Sequence, residues 1–154
     1  MSAPVLALIL SIGGASEAAA QRGTEIGVLG VVTASDPALA VAGAFAALRT
    51  SRRTRVSIGA GAGMSDGDAA WRGELLAHFL LSPGRRRGVG LYGAGGVAVV
   101  GGPVEQGYVV LALGVESRPG ARSGWFAEAG VGGGVRLAIG YRWRSRVGAT
   151  EVGP

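Results

Sequence analysis

The chain has no cysteine, no lysine and a single histidine, His78. Without cysteine there is neither a disulfide framework nor a thiolate metal site, and one histidine excludes a histidine-rich one. Aromatic residues are 6% of the total and charged residues 16%. Every apolar run is broken by glycine or charge before the ~20 residues that a membrane-spanning helix needs. What the 154 residues do hold is thirty glycines and fifteen basic residues, all arginine, for a net charge of +5. At this length a single domain is expected. A basic excess raises the question of nucleic acid. The arginines lie on separate turns with no stacking platform of aromatics between them, so no nucleic-acid partner is expected.

Residues 1–20 read as a cleaved signal peptide. Val5 to Ile12 is apolar but too short to span a bilayer, and Ala18-Ala19-Ala20 supplies the small-residue cleavage pattern, although Met1-Ser2-Ala3-Pro4 carries no basic residue. The competing reading is an ordered N-terminal helix or strand. Residues 21–144 are then the folded domain and 145–154 a tail.

Within the domain, short segments alternate residue by residue, the periodicity of a strand with two unlike faces. The last is the most regular: Val135, Leu137, Ile139, Tyr141 and Trp143 share one face, and Arg136, Ala138, Gly140, Arg142 and Arg144 the other. Seven more precede it, near 25–33, 39–48, 55–64, 69–81, 89–100, 108–116 and 125–132, each closed by turn residues such as Ser35-Asp36-Pro37 or Ser82-Pro83-Gly84. Helix is the competing reading for the alanine-rich second segment. An even number of strands of ~10 residues with short connections predicts an all-β, eight-stranded antiparallel up-and-down barrel.

Two patterns put lipid on the apolar outside and make the barrel transmembrane. In a meander, alternate turns share an end. The second, fourth and sixth turns hold Arg52 and Arg53, Arg85 to Arg87, and Arg118 and Arg122, and the chain's exit adds Arg142, Arg144 and Arg146. The first, third and fifth hold Asp36, Asp66 and Asp68, and Glu105. One rim is therefore cationic and the other anionic. Trp125, Tyr141 and Trp143 fall outward near the cationic rim and Trp71 outward near the anionic one, where interface aromatics belong.

The eight-segment layout, the signal peptide and the closing Arg136-Leu137-Ala138-Ile139-Gly140-Tyr141-Arg142-Trp143 resemble small bacterial outer-membrane β-barrel proteins of the OmpA or OmpX type. The last segment is similar to that family's assembly signal, with Ala138 where glycine is usual and a tail after Trp143 where the family stops. The resemblance implies an outer-membrane location, the lipid bilayer and the outer-membrane assembly machinery as partners, a monomer, and a cationic rim on the periplasmic side.

Candidate functional residues are few. Arg72, Glu74, Glu128 and Arg136, with His78, are expected inside, where charges survive only if paired. They are read as a lumen charge network that plugs the barrel, with a narrow conduction path as the alternative. The basic rim is either solvated charge or a contact for anionic headgroups or polymers. Gly93-Ala94-Gly95-Gly96-Val97-Ala98, with Glu116 some twenty residues on, fits a dinucleotide fingerprint in letters only. The β-branched run to Val100 leaves no room for the required helix. No cofactor, metal or catalysis is expected, and the function read is a structural or surface-interaction barrel. The alternatives are a soluble lipocalin-like barrel for a small apolar ligand and a lipid-modifying barrel enzyme using His78.

Overall fold

The two-residue periodicity resolves into eight strands. The computed structural model describes residues 23–145: β1 (Thr24–Ala34), β2 (Leu39–Arg49), β3 (Thr54–Ser65), β4 (Asp68–Leu80), β5 (Val89–Gly101), β6 (Gln106–Ser117), β7 (Ser123–Val131) and β8 (Val135–Ser145). Each strand pairs antiparallel with its chain neighbours, and β8 closes on β1, with Val28 opposite Tyr141 and Thr33 opposite Arg136. The expected signal peptide lies outside the described residues, as does the tail beyond Ser145.

β2 is strand, not helix, because its bulk alternates. Leu39, Val41 and Ala47 are buried, whereas Ala40, Ala42, Ala44 and Ala46 point out, and both edges of the strand find a partner. Across β3 the outward row continues as Ala44 opposite Ala60 and Ala42 opposite Ala62. This sector of the wall is smooth. Elsewhere the outer face carries Ile58, Leu75, Leu91, Val109, Leu113 and Ile139, all well exposed, and Leu113 reaches 77%.

The glycines acquire a reason from the register. Three inward rings each lie across the glycine directly opposite on the next strand: Phe45 over Gly27, Tyr92 over Gly114 and Phe126 over Gly140. A β-carbon on any of these glycines would sit 2.4 Å or less from a ring carbon. Phe45 and Phe126 then meet edge to face with centroids 5.5 Å apart. Apolar filling is confined to small clusters, such as Val31, Leu39, Val41, Ala70 and Ala138 near one end. The remaining interior is polar.

Both ends of the described chain lie at one end of the barrel, together with turns 50–53, 81–88 and 118–122. Turns 35–38, 66–67, 102–105 and 132–134 lie at the other. The arginine turns therefore share the first end, and Asp36, Asp66, Asp68 and Glu105 lie at the second.

Candidate functional site

The inward face of each strand is set by alternation, and it brings charges from seven strands together. In the middle layer Arg136 from β8 forks onto Glu74 of β4, with Nη2 2.8 Å from Oε2 and Nε 3.0 Å from Oε1. Its Nη1 reaches Glu128 of β7 at 2.6 Å. The second oxygen of Glu128 accepts the Tyr92 hydroxyl at 2.9 Å. Arg72 donates to Glu74 at 2.6 Å and ties Thr33 and the Gly132 carbonyl at 3.3 Å. Planar guanidinium forks suit this, because one arginine satisfies two carboxylates without bending.

A second layer lies nearer the arginine turns. Glu25 of β1 accepts from Arg55 at 2.9 Å, Arg49 at 3.0 Å and Arg144 at 2.8 Å. Glu116 takes Arg142 at 3.1 Å and Arg55 at 3.4 Å. Arg55 also stands over the Tyr92 ring, 5.4 Å from its centroid. Four arginines and four glutamates are buried in the two layers, and a bare charge there would be costly. The two further arginines, Arg49 and Arg144, are slightly exposed at the mouth.

That mouth is stoppered by backbone. The β6–β7 turn, residues 118–122, folds inward so that Pro119 is fully buried. Its carbonyls receive the guanidiniums: Arg144 and Arg49 donate to Pro119 at 2.9 and 3.4 Å, and Arg142 to Arg118 at 3.2 Å and Ala121 at 3.5 Å. At mid-barrel a cavity of about 30 Å³ remains, lined by Phe45, Ser57, His78, Glu128 and Arg136 among others. That is room for about two waters. The opposite mouth opens into a vestibule of about 330 Å³ between Ser35, Ser65, Gln106 and Tyr108, floored by Arg72.

His78 sits between unlike partners. Its Nε2 lies 2.9 Å from Ser57 Oγ and its Nδ1 3.4 Å from Arg55 Nη2. A guanidinium can only donate, so Nδ1 accepts and the ring proton belongs on Nε2, facing the serine. In that tautomer the ring donates to Ser57 and cannot remove its proton.

No family profile and no curated protein matches the chain. Among solved structures, the N-terminal β-barrel domain of Pseudomonas aeruginosa OprF aligns with a TM-score of 0.67 over 81% of this chain and 98% of that domain, at 14% identity. The chain has the fold of the OprF barrel domain. At that identity the likeness is one of fold, with the OprF barrel and this one sharing an eight-stranded wall.

Inside this OprF-type wall, Arg72, Glu74, His78, Glu128 and Arg136 lie within the lumen, and four of the five join one connected cluster of ion pairs. His78 attaches through Arg55 and Ser57 instead. Trp71, Trp125 and Trp143 are about half exposed on the outer face, and Tyr141 lies beside Trp143 with centroids 5.1 Å apart. Arg52, Arg53, Arg85, Arg86, Arg87, Arg118 and Arg122 are exposed at one end. One expectation needs correcting. Arg142 and Arg144 do not add to the cationic rim, because both turn inward onto Glu116 and Glu25; Arg146 lies outside the described residues. The charges that sequence reasoning missed are Glu25, Arg49, Arg55 and Glu116. A signal was available for all four, since each occupies the inward parity of its strand.

The Tyr92 hydroxyl offers a clean test of the middle layer. Tyr92→Phe keeps the ring on Gly114 but leaves a lone pair of a buried carboxylate without its donor. The expected loss is about 1.5–3 kcal/mol of unfolding free energy, as for a hydrogen bond to a charged group. Urea unfolding followed by tryptophan fluorescence would measure it.

Proposed function

We propose that this chain is a small outer-membrane barrel with a plugged lumen, serving a structural or surface-interaction role without catalysis. The observation that carries the reading is the inversion of polarity. Large apolar side chains cover the outer wall while paired charges fill the inside, the reverse of a water-soluble barrel. Half-exposed tryptophans near both ends of the wall agree with an interface belt. The fold shared with the OprF barrel domain, and the sequence resemblance to the OmpA and OmpX type, point the same way.

The other readings fit less well. A carrier of apolar ligands needs an apolar cavity, but the central space is about 30 Å³ and bounded by ion pairs. A channel needs continuous water, but the inward turn and two layers of arginine and glutamate interrupt it. Hydrolytic or acyl-transfer chemistry at Ser57 needs a histidine free to accept, and Arg55 turns His78 the other way.

Fractionation tests the reading. The protein is expected in the membrane fraction after a high-salt wash, released only by detergent, and to migrate differently on a gel before and after heating. Recovery in a soluble fraction without detergent would overturn it.

A further inference from the structure

The guanidiniums of the arginine turns take no part in the lumen network. Arg52, Arg53, Arg85, Arg86, Arg87, Arg118 and Arg122 are exposed, and none of the seven makes an ion pair among the described residues. Of their guanidiniums, only that of Arg85 donates to a described residue, the Val89 carbonyl at 2.8 Å. The exposed acids are at the far end, and the two glutamates near this mouth, Glu25 and Glu116, are buried and already shared among four arginines. Seven like charges around one rim repel one another, and no described residue supplies a counter-charge, which leaves an external anion to do so.

The placement of the ring narrows what that counter-charge is. The arginines begin where the apolar wall stops: Arg53 precedes Thr54, which pairs with outward Phe79, and Arg122 stands three residues before Trp125. The Arg53 carbonyl accepts the Leu80 amide at 2.6 Å, which anchors that turn over β4. Directly below it, an open groove of about 660 Å³ runs along the outer face from Thr54 and Phe79 toward mid-barrel. Ala77, Gly93 and Gly95 floor it, and Leu111 and Leu113 form one side. A cluster of guanidiniums above an apolar groove matches one amphiphile, with a phosphate at the head and a hydrocarbon tail below. A free polyanion would satisfy the arginines and leave the groove unused.

We propose that this rim is a binding collar for anionic phospholipids, with the headgroup phosphate held by Arg52, Arg53 and Arg85 to Arg87 and an acyl chain seated against Phe79, Gly93 and Leu113. The proposal rests on the reading that the outer wall meets lipid. Planar guanidiniums pair with phosphate through two parallel donors, so a phosphodiester carrying net charge is preferred over a zwitterionic one whose own ammonium competes. The collar enriches anionic lipid around this end and fixes the depth at which the barrel sits.

The full chain would be refolded into vesicles of phosphatidylcholine mixed with phosphatidylglycerol, and the lipids retained after mild detergent extraction counted by native mass spectrometry. Phosphatidylglycerol is expected to be enriched over its share in the vesicle. Replacing the five arginines Arg52, Arg53 and Arg85 to Arg87 by glutamine should cut that enrichment by about five-fold or more, since each basic residue near an anionic surface contributes on that order. Gly93→Val fills the groove without touching any charge, because a β-carbon there meets open space. It should lower phosphatidylglycerol retention while leaving binding of inorganic polyphosphate unchanged. Equal retention by the parent and the five-glutamine variant, both folded in the vesicles, would overturn the collar and leave the barrel reading intact. Strong polyphosphate binding with no effect of Gly93→Val would overturn it in favour of a soluble polyanion. Failure of the parent to enter these vesicles would overturn the membrane reading itself, and the collar with it.

Discussion

Glu25→Gln is expected to lower the free energy of unfolding from a bilayer by about 3–5 kcal/mol, the range seen when one partner of a buried charge group is removed. Glu25 is fully buried and is shared by Arg49, Arg55 and Arg144, so its neutral amide would leave three guanidiniums crowded together with one acceptor fewer than they need. Glutamine preserves shape and isolates the charge. The check is urea unfolding in phospholipid vesicles, read by tryptophan fluorescence. Adding Arg144→Gln to the variant should restore part of the loss, since it relieves the repulsion that the first change creates, and that coupling is what a double-mutant cycle measures. A loss below about 1 kcal/mol, typical of an exposed pair, would mean that the cluster is solvated and not a plug.

The second large effect concerns the outer wall. Leu111→Arg is expected to cost about 2–4 kcal/mol in a bilayer, the price of a cation near the midplane of a transmembrane barrel. Leu111 lies in the middle of β6 and is 59% exposed, while Val110 beside it has no exposure at all. Were the outer face wetted, the same substitution would fall within about ±0.5 kcal/mol, as surface changes usually do. Val104→Arg, on an exposed turn at the acidic end, is the matched control and should be near neutral. The same vesicle unfolding assay serves both. Equal values for the two variants would argue that the band around Leu111 meets water.

Much of this architecture is written locally. Alternation from Val135 to Trp143 needs no partner to be recognised, and turn chemistry at Ser35-Asp36-Pro37 or Asp66-Gly67 marks the strand ends whatever surrounds them. Charge sorting follows from counting turns, which is why the exposed arginines could be assigned to one end. Pairing is different, because it depends on register and closure. Glu25 and Arg144 are 119 positions apart and become neighbours only when β8 meets β1. Arg142 looks like part of a cationic exit until the β6–β7 turn is seen to fold inward and receive it. The ring-on-glycine pairs are equally silent in one dimension, since Tyr92 and Gly114 are matched by the β5–β6 register and by nothing nearer in the chain. Sequence could say that a lumen charge must be paired. It could not say with what.

The inward turn at residues 118–122 also sets an order of events. Two of the three arginines that hold it, Arg142 and Arg144, belong to the last strand. Until β8 arrives, the turn keeps its backbone bonds to Arg85 and Gly88 and its contact with Arg49 but lacks the guanidiniums of Arg142 and Arg144. Closing the wall and filling this mouth therefore draw on the same strand, whose Arg144 meets the Glu25 carboxylate of β1.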